Sequence, residues 1–166
     1  MAKKAEVAES AFEYLLCEIL ELQPRPEEIA GEDNQNLVHQ RRLDNLGYDV
    51  GYRYVEKLAQ HRPLMSDPLD IVKFVCKDFW DDVFLKKIDK LQTNHRGVFV
   101  LSDFKFKWLE KYASDDPISK ETAARMLHFP CGILRGALAN LGLSSIVVAE
   151  FTTLPACTFN IKIKSV

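Results

Sequence analysis

The segment from residue 131 to residue 142 reads CGILRGALANLG, a helical apolar pattern that contains two glycines four positions apart. A glycine inside a helix costs roughly 0.5–1 kcal/mol relative to alanine, so a pair of them needs a structural reason. On a helical wheel, Leu134 and Leu138 lie on one side, and Gly132 and Gly136 lie on the opposite side. The glycines form a flat second face, which either packs closely inside one domain or receives a ligand or another chain.

The same spacing recurs at Gly47 and Gly51, within a helix predicted from residue 36 to residue 60. GxxxG spacing is a dimerisation signal in membrane helices. This chain has no run of about 18 apolar residues, so we expect no transmembrane helix. Two interpretations stay open for this glycine pair: contact with a helix of the same domain, or contact with a helix of a partner chain.

The composition is that of an ordinary globular domain. The 166 residues are 47% hydrophobic and carry a net charge of −2, which argues against nucleic acid as a partner. We expect a single domain over residues 1–166, with a flexible N-terminus at 1–9 and a mobile loop at 23–35. The loop reads QPRPEEIAGEDNQ, and the N-terminus lacks the apolar core of a signal peptide.

The hydrophobic period changes from helical to strand-like after residue 84. The predicted helices span residues 10–22, 36–60, 67–84 and 119–141, the last kinked at Pro130, and the predicted strands span 85–92, 97–103, 104–108, 146–152 and 157–164. Short turns between neighbouring strands favour antiparallel pairing. We therefore predict an α+β fold, with about four helices packed on one face of a twisted antiparallel sheet of four to five strands, and lysines on the other face.

The sequence contains no motif that predicts catalysis, and we expect neither an enzyme nor a bound cofactor or metal. Its four histidines lack HxxxH or HExxH spacing, and no Cys/His cluster has zinc-site spacing. The cysteines form no CxxC pair, which indicates reduced thiols in a cytosolic protein, and Cys131 and Cys157 occupy core positions of the pattern. Asp78, Asp81 and Asp82 surround Trp80; such carboxylates either form a solvated rim or contact another subunit.

Five blocks of this sequence resemble the small-subunit family of the transport protein particle, TRAPP, at its subunit-six branch. They lie in order between Leu37 and Lys164 and read LDNLGYDVGYRYVEKL, DIVKFVCKDFWDDVF, TNHRGVFVL, CGILRGALANLG and IVVAEFTTLPACTFNIKI. The resemblance implies four helices against an antiparallel sheet, and dimers formed through the first two helices. It also implies a heterodimer with the related acyl-binding small subunit, with a homodimer of the isolated chain left open.

The resemblance further implies the cellular role. Such a subunit is a non-catalytic scaffold that joins other TRAPP core subunits, and the assembled complex tethers vesicles and promotes nucleotide exchange on a Rab-type GTPase. We therefore expect a cytoplasmic protein that associates peripherally with Golgi and endoplasmic reticulum membranes and supports ER-to-Golgi and intra-Golgi traffic. The acyl-binding relative attaches its lipid through a cysteine near a helix start, where this chain reads Asp67-Pro68-Leu69, so we expect no lipid attachment. The alternative is a stand-alone domain of related fold that senses a hydrophobic ligand.

The apolar stripes of the first two helices coincide with the dimer face that the resemblance implies. The predicted interface residues are Phe12, Leu15, Leu16, Ile19, Leu43, Leu46, Gly47, Val50, Gly51 and Tyr54. The residues predicted for a second contact with another subunit are Asp78, Trp80, Asp81 and Asp82.

Overall fold

The computed structural model describes residues 9–21, 35–94 and 96–164. The predicted flexible N-terminus and mobile loop lie outside these ranges, apart from Glu9 and Gln35, which begin the first two helices. The helices are α1 (Glu9–Glu21), α2 (Gln35–Ala59), α3 (Pro68–Phe74), α4 (Trp80–Phe84), α5 (Pro117–Met126) and α6 (His128–Asn140). A π-helical turn, Val75–Phe79, joins α3 to α4, so the six helices form five helical stretches.

Four strands form one antiparallel sheet in the order β1-β2-β4-β3. Their bounds are β1 (Lys90–Thr93), β2 (Val98–Asp103), β3 (Ser145–Glu150) and β4 (Cys157–Ile163). Buried and more accessible positions alternate along β2 and β4, because successive side chains of a strand point to opposite faces. The predicted α+β class and the helix-covered antiparallel sheet are confirmed.

The core lies between this sheet and the helices. Leu101 of β2 pairs with Phe159 of β4, and both side chains are fully buried. Trp80 packs against them from the helical side, with its ring centroid 5.2 Å from that of Phe159 and 4.6 Å from that of Phe84. The outer face carries Lys162 as predicted, and it also exposes Ile146 and Val148.

One predicted strand boundary and one whole predicted strand were wrong. The helical stretch ends at Leu85, which adopts a left-handed conformation with φ of 58°, and β1 begins only at Lys90 instead of residue 85. The predicted strand at 104–108 is a turn followed by a 3₁₀ helix, Lys107–Leu109. The carboxylate of Asp103 accepts a hydrogen bond from the Lys105 amide at 2.9 Å, and this local bond turns the chain away from the sheet.

The predicted helix over residues 119–141 is divided in two. α5 ends at Met126 and α6 begins at His128. The break therefore falls at Leu127, three residues before the predicted kink at Pro130. Proline clashes with the carbonyl four residues before it and has no N–H to donate to that carbonyl. For Pro130 the affected carbonyl belongs to Met126, so the break falls at the residue that follows it.

Candidate functional site

The two glycine pairs meet each other inside the chain. A Cβ added to Gly132 would lie 2.0 Å from the carbonyl oxygen of Asp44, and one added to Gly136 would lie 2.1 Å from that of Tyr48. These contacts advance along both helices in the same direction, so α2 and α6 run parallel. The close approach that both glycine pairs permit is therefore a helix–helix contact within one domain.

This contact corrects part of the predicted dimer face. A Cβ on Gly47 would lie 2.1 Å from the carbonyl oxygen of Phe129, so α6 of the same chain occupies the approach that we assigned to a partner helix at Gly47 and Gly51. Leu43 and Leu16 are 2% and 8% exposed, and both belong to the domain's own core. The helical wheel shows which side chains share a face, but it does not show whether a partner or the chain itself covers that face.

The rest of the predicted face is accessible to different degrees. Leu46 and Val50 are 40% and 43% exposed. Each is two positions from Tyr48, hence about 160° around the helix from a residue that contacts α6. On α1, Phe12 and Leu15 are 39% and 56% exposed. The other two predicted interface residues, Ile19 and Tyr54, are half-buried against the core.

Polar and aromatic side chains fix the edges of α2. Arg135 of α6 forms an ion pair with Asp44, and its guanidinium lies 4.5 Å from the ring centroid of Tyr48. On another side of α2, Tyr54 donates its hydroxyl to the Asp82 carboxylate. Burial, followed by this hydrogen bond, raises the pKa of Tyr54 to about 12, so the hydroxyl stays protonated and keeps donating.

The predicted second contact is only partly a surface. Trp80 is fully buried, which contradicts its assignment as a contact residue, and its indole N–H donates to Asp103 at 3.4 Å. Asp78 is half-buried and forms an ion pair with Arg62 at 2.8 Å, whereas Asp81 is exposed. With Asp82, these two carboxylates line a polar recess of about 480 Å³, which ends at Leu85.

Sequence analysis missed an apolar groove of about 590 Å³. Side chains from α1, from the end of α4 and from the 3₁₀ helix line it, and these three segments lie far apart in the sequence. Phe12 of α1 packs against Trp108 with a ring centroid distance of 5.2 Å. The apolar period of α1 indicated that one face of this helix is buried. No feature of the neighbouring sequence indicated that the 3₁₀ helix packs against that face.

The three buried cysteines are poor nucleophiles in this environment. Cys76, Cys131 and Cys157 are buried free thiols, and Cys17 is an exposed one. Burial raises the pKa of Cys76 and that of Cys131 to about 12, which keeps both as neutral thiols near pH 7. Within the described residues, no group of three or more histidine, cysteine, aspartate or glutamate side chains is placed to hold a metal ion.

These observations define an α+β domain with exposed apolar side chains on α1 and α2. Residues 12–164 match the family described as "Transport protein particle (TRAPP) component". The chain is 40% identical over 156 residues to trafficking protein particle complex subunit 6b of Danio rerio, which covers 94% of this chain and 97% of that protein. It is 45% identical over 123 residues to subunit 6B of Homo sapiens, covering 74% of this chain and 77% of that protein. The chain belongs to the TRAPP component family.

A solved structure supports the same fold. The chain superimposes on trafficking protein particle complex subunit 3 from Naegleria fowleri, a protein covalently bound to palmitic acid, with a TM-score of 0.67. The two sequences are 14% identical, and the match covers 94% of this chain and 92% of the other. In the described ranges, no helix is both long and apolar enough to cross a membrane.

Proposed function

We propose that this chain is a non-catalytic scaffold subunit of a TRAPP vesicle-tethering complex, and that it forms a heterodimer with the related acyl-binding small subunit. The observation that carries the proposal is the division of α2 into two faces. One face is closed by backbone contacts with α6, and the opposite face exposes Leu46 and Val50. The proposed partner covers this outward face together with Phe12 and Leu15 of α1.

The packing of α2 suits it to this role. Because its inner face is held against α6 by contacts that leave no space for a Cβ, the outer face is rigid before a partner arrives. A rigid face loses less conformational entropy on binding than a mobile one. A stable interface buries about 1,600 Å² in total, so Leu46 and Val50 form its apolar centre and the polar side chains around them its rim.

Membership of the family supports a wider role, which is part of the proposal. The proposed heterodimer joins other TRAPP core subunits, and the assembled complex supports ER-to-Golgi and intra-Golgi traffic and nucleotide exchange on a Rab-type GTPase. The chain itself is cytoplasmic and reaches Golgi and endoplasmic reticulum membranes through the complex. The acyl group belongs to the partner, because α3 of this chain begins Asp67-Pro68-Leu69 without a cysteine. When purified alone, the chain could bury the same α2 face in a homodimer.

Co-expression with the acyl-binding small subunit, followed by size exclusion with light scattering, tests the proposal. Wild type is expected to give a one-to-one heterodimer. Leu46→Asp is expected to stay folded and to lose the partner, because it places an unpaired carboxylate in an apolar interface. Leu64→Asp, at a residue that is 97% exposed and lies between α2 and α3, is the matched control and should keep the partner.

Two other results would count against the proposal. If wild type stays monomeric when mixed with the related subunit, the scaffold role fails. If Leu46→Asp retains the heterodimer as well as Leu64→Asp does, the outward face of α2 is not the contact. Leu43→Asp provides a reference for unfolding, because Leu43 is 2% exposed and its replacement should abolish the folded state.

A further inference from the structure

The apolar groove and the acidic recess adjoin each other at Leu85. The side chain of this residue lines both of them. The groove side is formed by Val83 and Phe84 of α4 together with Phe12, Leu16 and Leu20 of α1. The recess side carries the three carboxylates of Asp78, Asp81 and Asp82, and it is also lined by Leu58, Arg62 and Phe74.

Leu85 is held in an unusual conformation at this junction. Its φ of 58° lies in the left-handed region, where a residue with a Cβ is uncommon and is destabilised by roughly 1–2 kcal/mol. The side chain is nevertheless 68% exposed, so it gains little from burial in the chain itself. This left-handed residue ends α4 and presents its apolar side chain between the groove and the recess.

The shape favours a macromolecule over a small ligand. The groove is open along its rim, where Phe12 and Leu85 are 39% and 68% exposed. A small apolar ligand on the groove floor would leave both rim side chains in water. An amphipathic helix instead covers floor and rim together, because its anchors recur at i, i+3, i+4 and i+7 along one face.

The charges indicate which way such a helix lies. Asp78, Asp81 and Asp82 line the recess that adjoins the groove at Leu85, whereas Lys107 and Lys111 line the groove itself. Arg62 is paired with Asp78, and Lys111 is paired with Glu13 of α1. Asp81 is exposed at the acidic end, where a cation of an incoming segment can reach it.

We propose that the groove and the recess together are a docking site for an amphipathic helix of a partner protein. Its apolar face fills the groove between α1 and α4, and its basic end lies over Asp78 and Asp81. This site is separate from the outward face of α2, and it shares only Phe12 of α1 with the proposed heterodimer interface.

Two synthetic helical peptides test the site. Both carry leucines at i, i+3, i+4 and i+7; one ends in three lysines, and the other ends in three glutamates at the same positions. Fluorescence anisotropy with the full chain should show the lysine peptide binding about fivefold or more tightly, and the difference should shrink at high salt. Equal affinity for the two peptides, or no binding of either, would overturn the proposal.

Variants assign the binding to the two halves of the site. Leu85→Asp should abolish binding of both peptides, whereas Leu64→Asp should leave both unchanged. Asp81→Lys should remove most of the preference for lysine, whereas Asp70→Lys, at an exposed acid of α3, should not. Retained binding in a folded Leu85→Asp variant would contradict the assignment.

The peptide assay also separates this site from the heterodimer. Leu46→Asp lies outside the groove and should bind the lysine peptide as wild type does. If Leu46→Asp loses the peptide while circular dichroism shows it folded, the peptide occupies the α2 face and the groove proposal is wrong.

Discussion

Gly47 and Gly132 meet so closely that a Cβ added to Gly47 would lie 3.1 Å from the Cα of Gly132. Through this contact, the backbones of α2 and α6 approach without side chains between them. The result is that α2 has one face that no partner can reach and an opposite face that exposes Leu46 and Val50. Both the stability of the domain and the orientation of its proposed interface depend on this helix pair.

Alanine in place of Gly132 should destabilise the chain. Helix propensity alone predicts a gain of about 1 kcal/mol for a glycine-to-alanine change inside a helix. Here the new Cβ would lie 2.0 Å from the Asp44 carbonyl oxygen, and backbone must move to admit it. We expect Gly132→Ala to lower the free energy of unfolding by at least about 2 kcal/mol, as overpacking does, measured by urea denaturation.

Ala124→Gly is the matched control, because Ala124 is an exposed position inside α5. It should cost about 1 kcal/mol, which is the propensity difference alone. A Gly132→Ala variant that is as stable as wild type would show that α2 and α6 are not in backbone contact.

The buried carboxylate of Asp103, the last residue of β2, forms an ion pair with Lys86. Asp103 is 1% exposed, and it accepts hydrogen bonds from Lys86 Nζ at 2.5 Å and from the Trp80 indole N–H at 3.4 Å. Burial alone would lower the pKa of Lys86, but its hydrogen bonds to Asp103 and Asp89 outweigh that effect and raise it. Lys86→Met leaves the Asp103 charge without its cation and should cost about 3 kcal/mol of unfolding free energy.

The double variant Lys86→Met/Asp103→Asn checks the cause. Because it removes the charge as well as its partner, it should recover part of the stability that Lys86→Met loses, in chemical denaturation at pH 7. The single variant Asp103→Asn is measured as well. If the double variant loses as much unfolding free energy as Lys86→Met and Asp103→Asn lose together, the two side chains do not interact.

Acid should destabilise the domain through His128, the first residue of α6. Burial lowers the pKa of His128, an effect that nearby His39 reinforces and the Asp44 carboxylate partly opposes. The unfolded chain therefore binds a proton at a higher pH than the folded chain does. The stability linked to His128 is complete above the unfolded pKa of about 6.5 and is lost as the pH falls below it toward the folded value.

The melting temperature measured between pH 8 and pH 5 tests this linkage. Wild type should lose stability across the lower half of this range, and His128→Asn should show a smaller loss. Identical pH profiles for the two proteins would mean that His128 does not couple protonation to folding.

The helices were predictable because their apolar periods are long and their ends are marked by local chemistry. Asp67 and Pro68, for example, start α3 where the sequence indicates, and the Asp67 side chain accepts a hydrogen bond from the Leu69 amide. The segment at 104–108 was not predictable from its alternation, because a hydrogen bond from the Lys105 amide to the Asp103 side chain redirects the chain. The hydrophobic period of a segment describes only which side chains are apolar. It carries no information on hydrogen bonds between a side chain and the nearby backbone.

The sequence predicted which residues of α2 are apolar, but it did not predict which of them are accessible to a partner. Leu43 and Leu46 are both apolar and lie on neighbouring parts of α2, yet one is 2% exposed and the other 40%. The difference is set by the packing of α2 in the folded domain against α6, which begins 69 residues after α2 ends. Trp80 was misassigned for a related reason: its acidic neighbours suggested a surface, whereas its own side chain lies in the core.

Site-specific photocrosslinking in the assembled complex shows whether the outward face of α2 contacts the proposed partner. A photoreactive phenylalanine analogue is placed at position 46 or 50, with position 64 as the exposed control, and the chain is co-purified with the acyl-binding small subunit. If the outward face of α2 is the interface, positions 46 and 50 should crosslink to that subunit and position 64 should not. A complex that assembles normally but gives no crosslink from either α2 position would show that the outward face of α2 is not the interface.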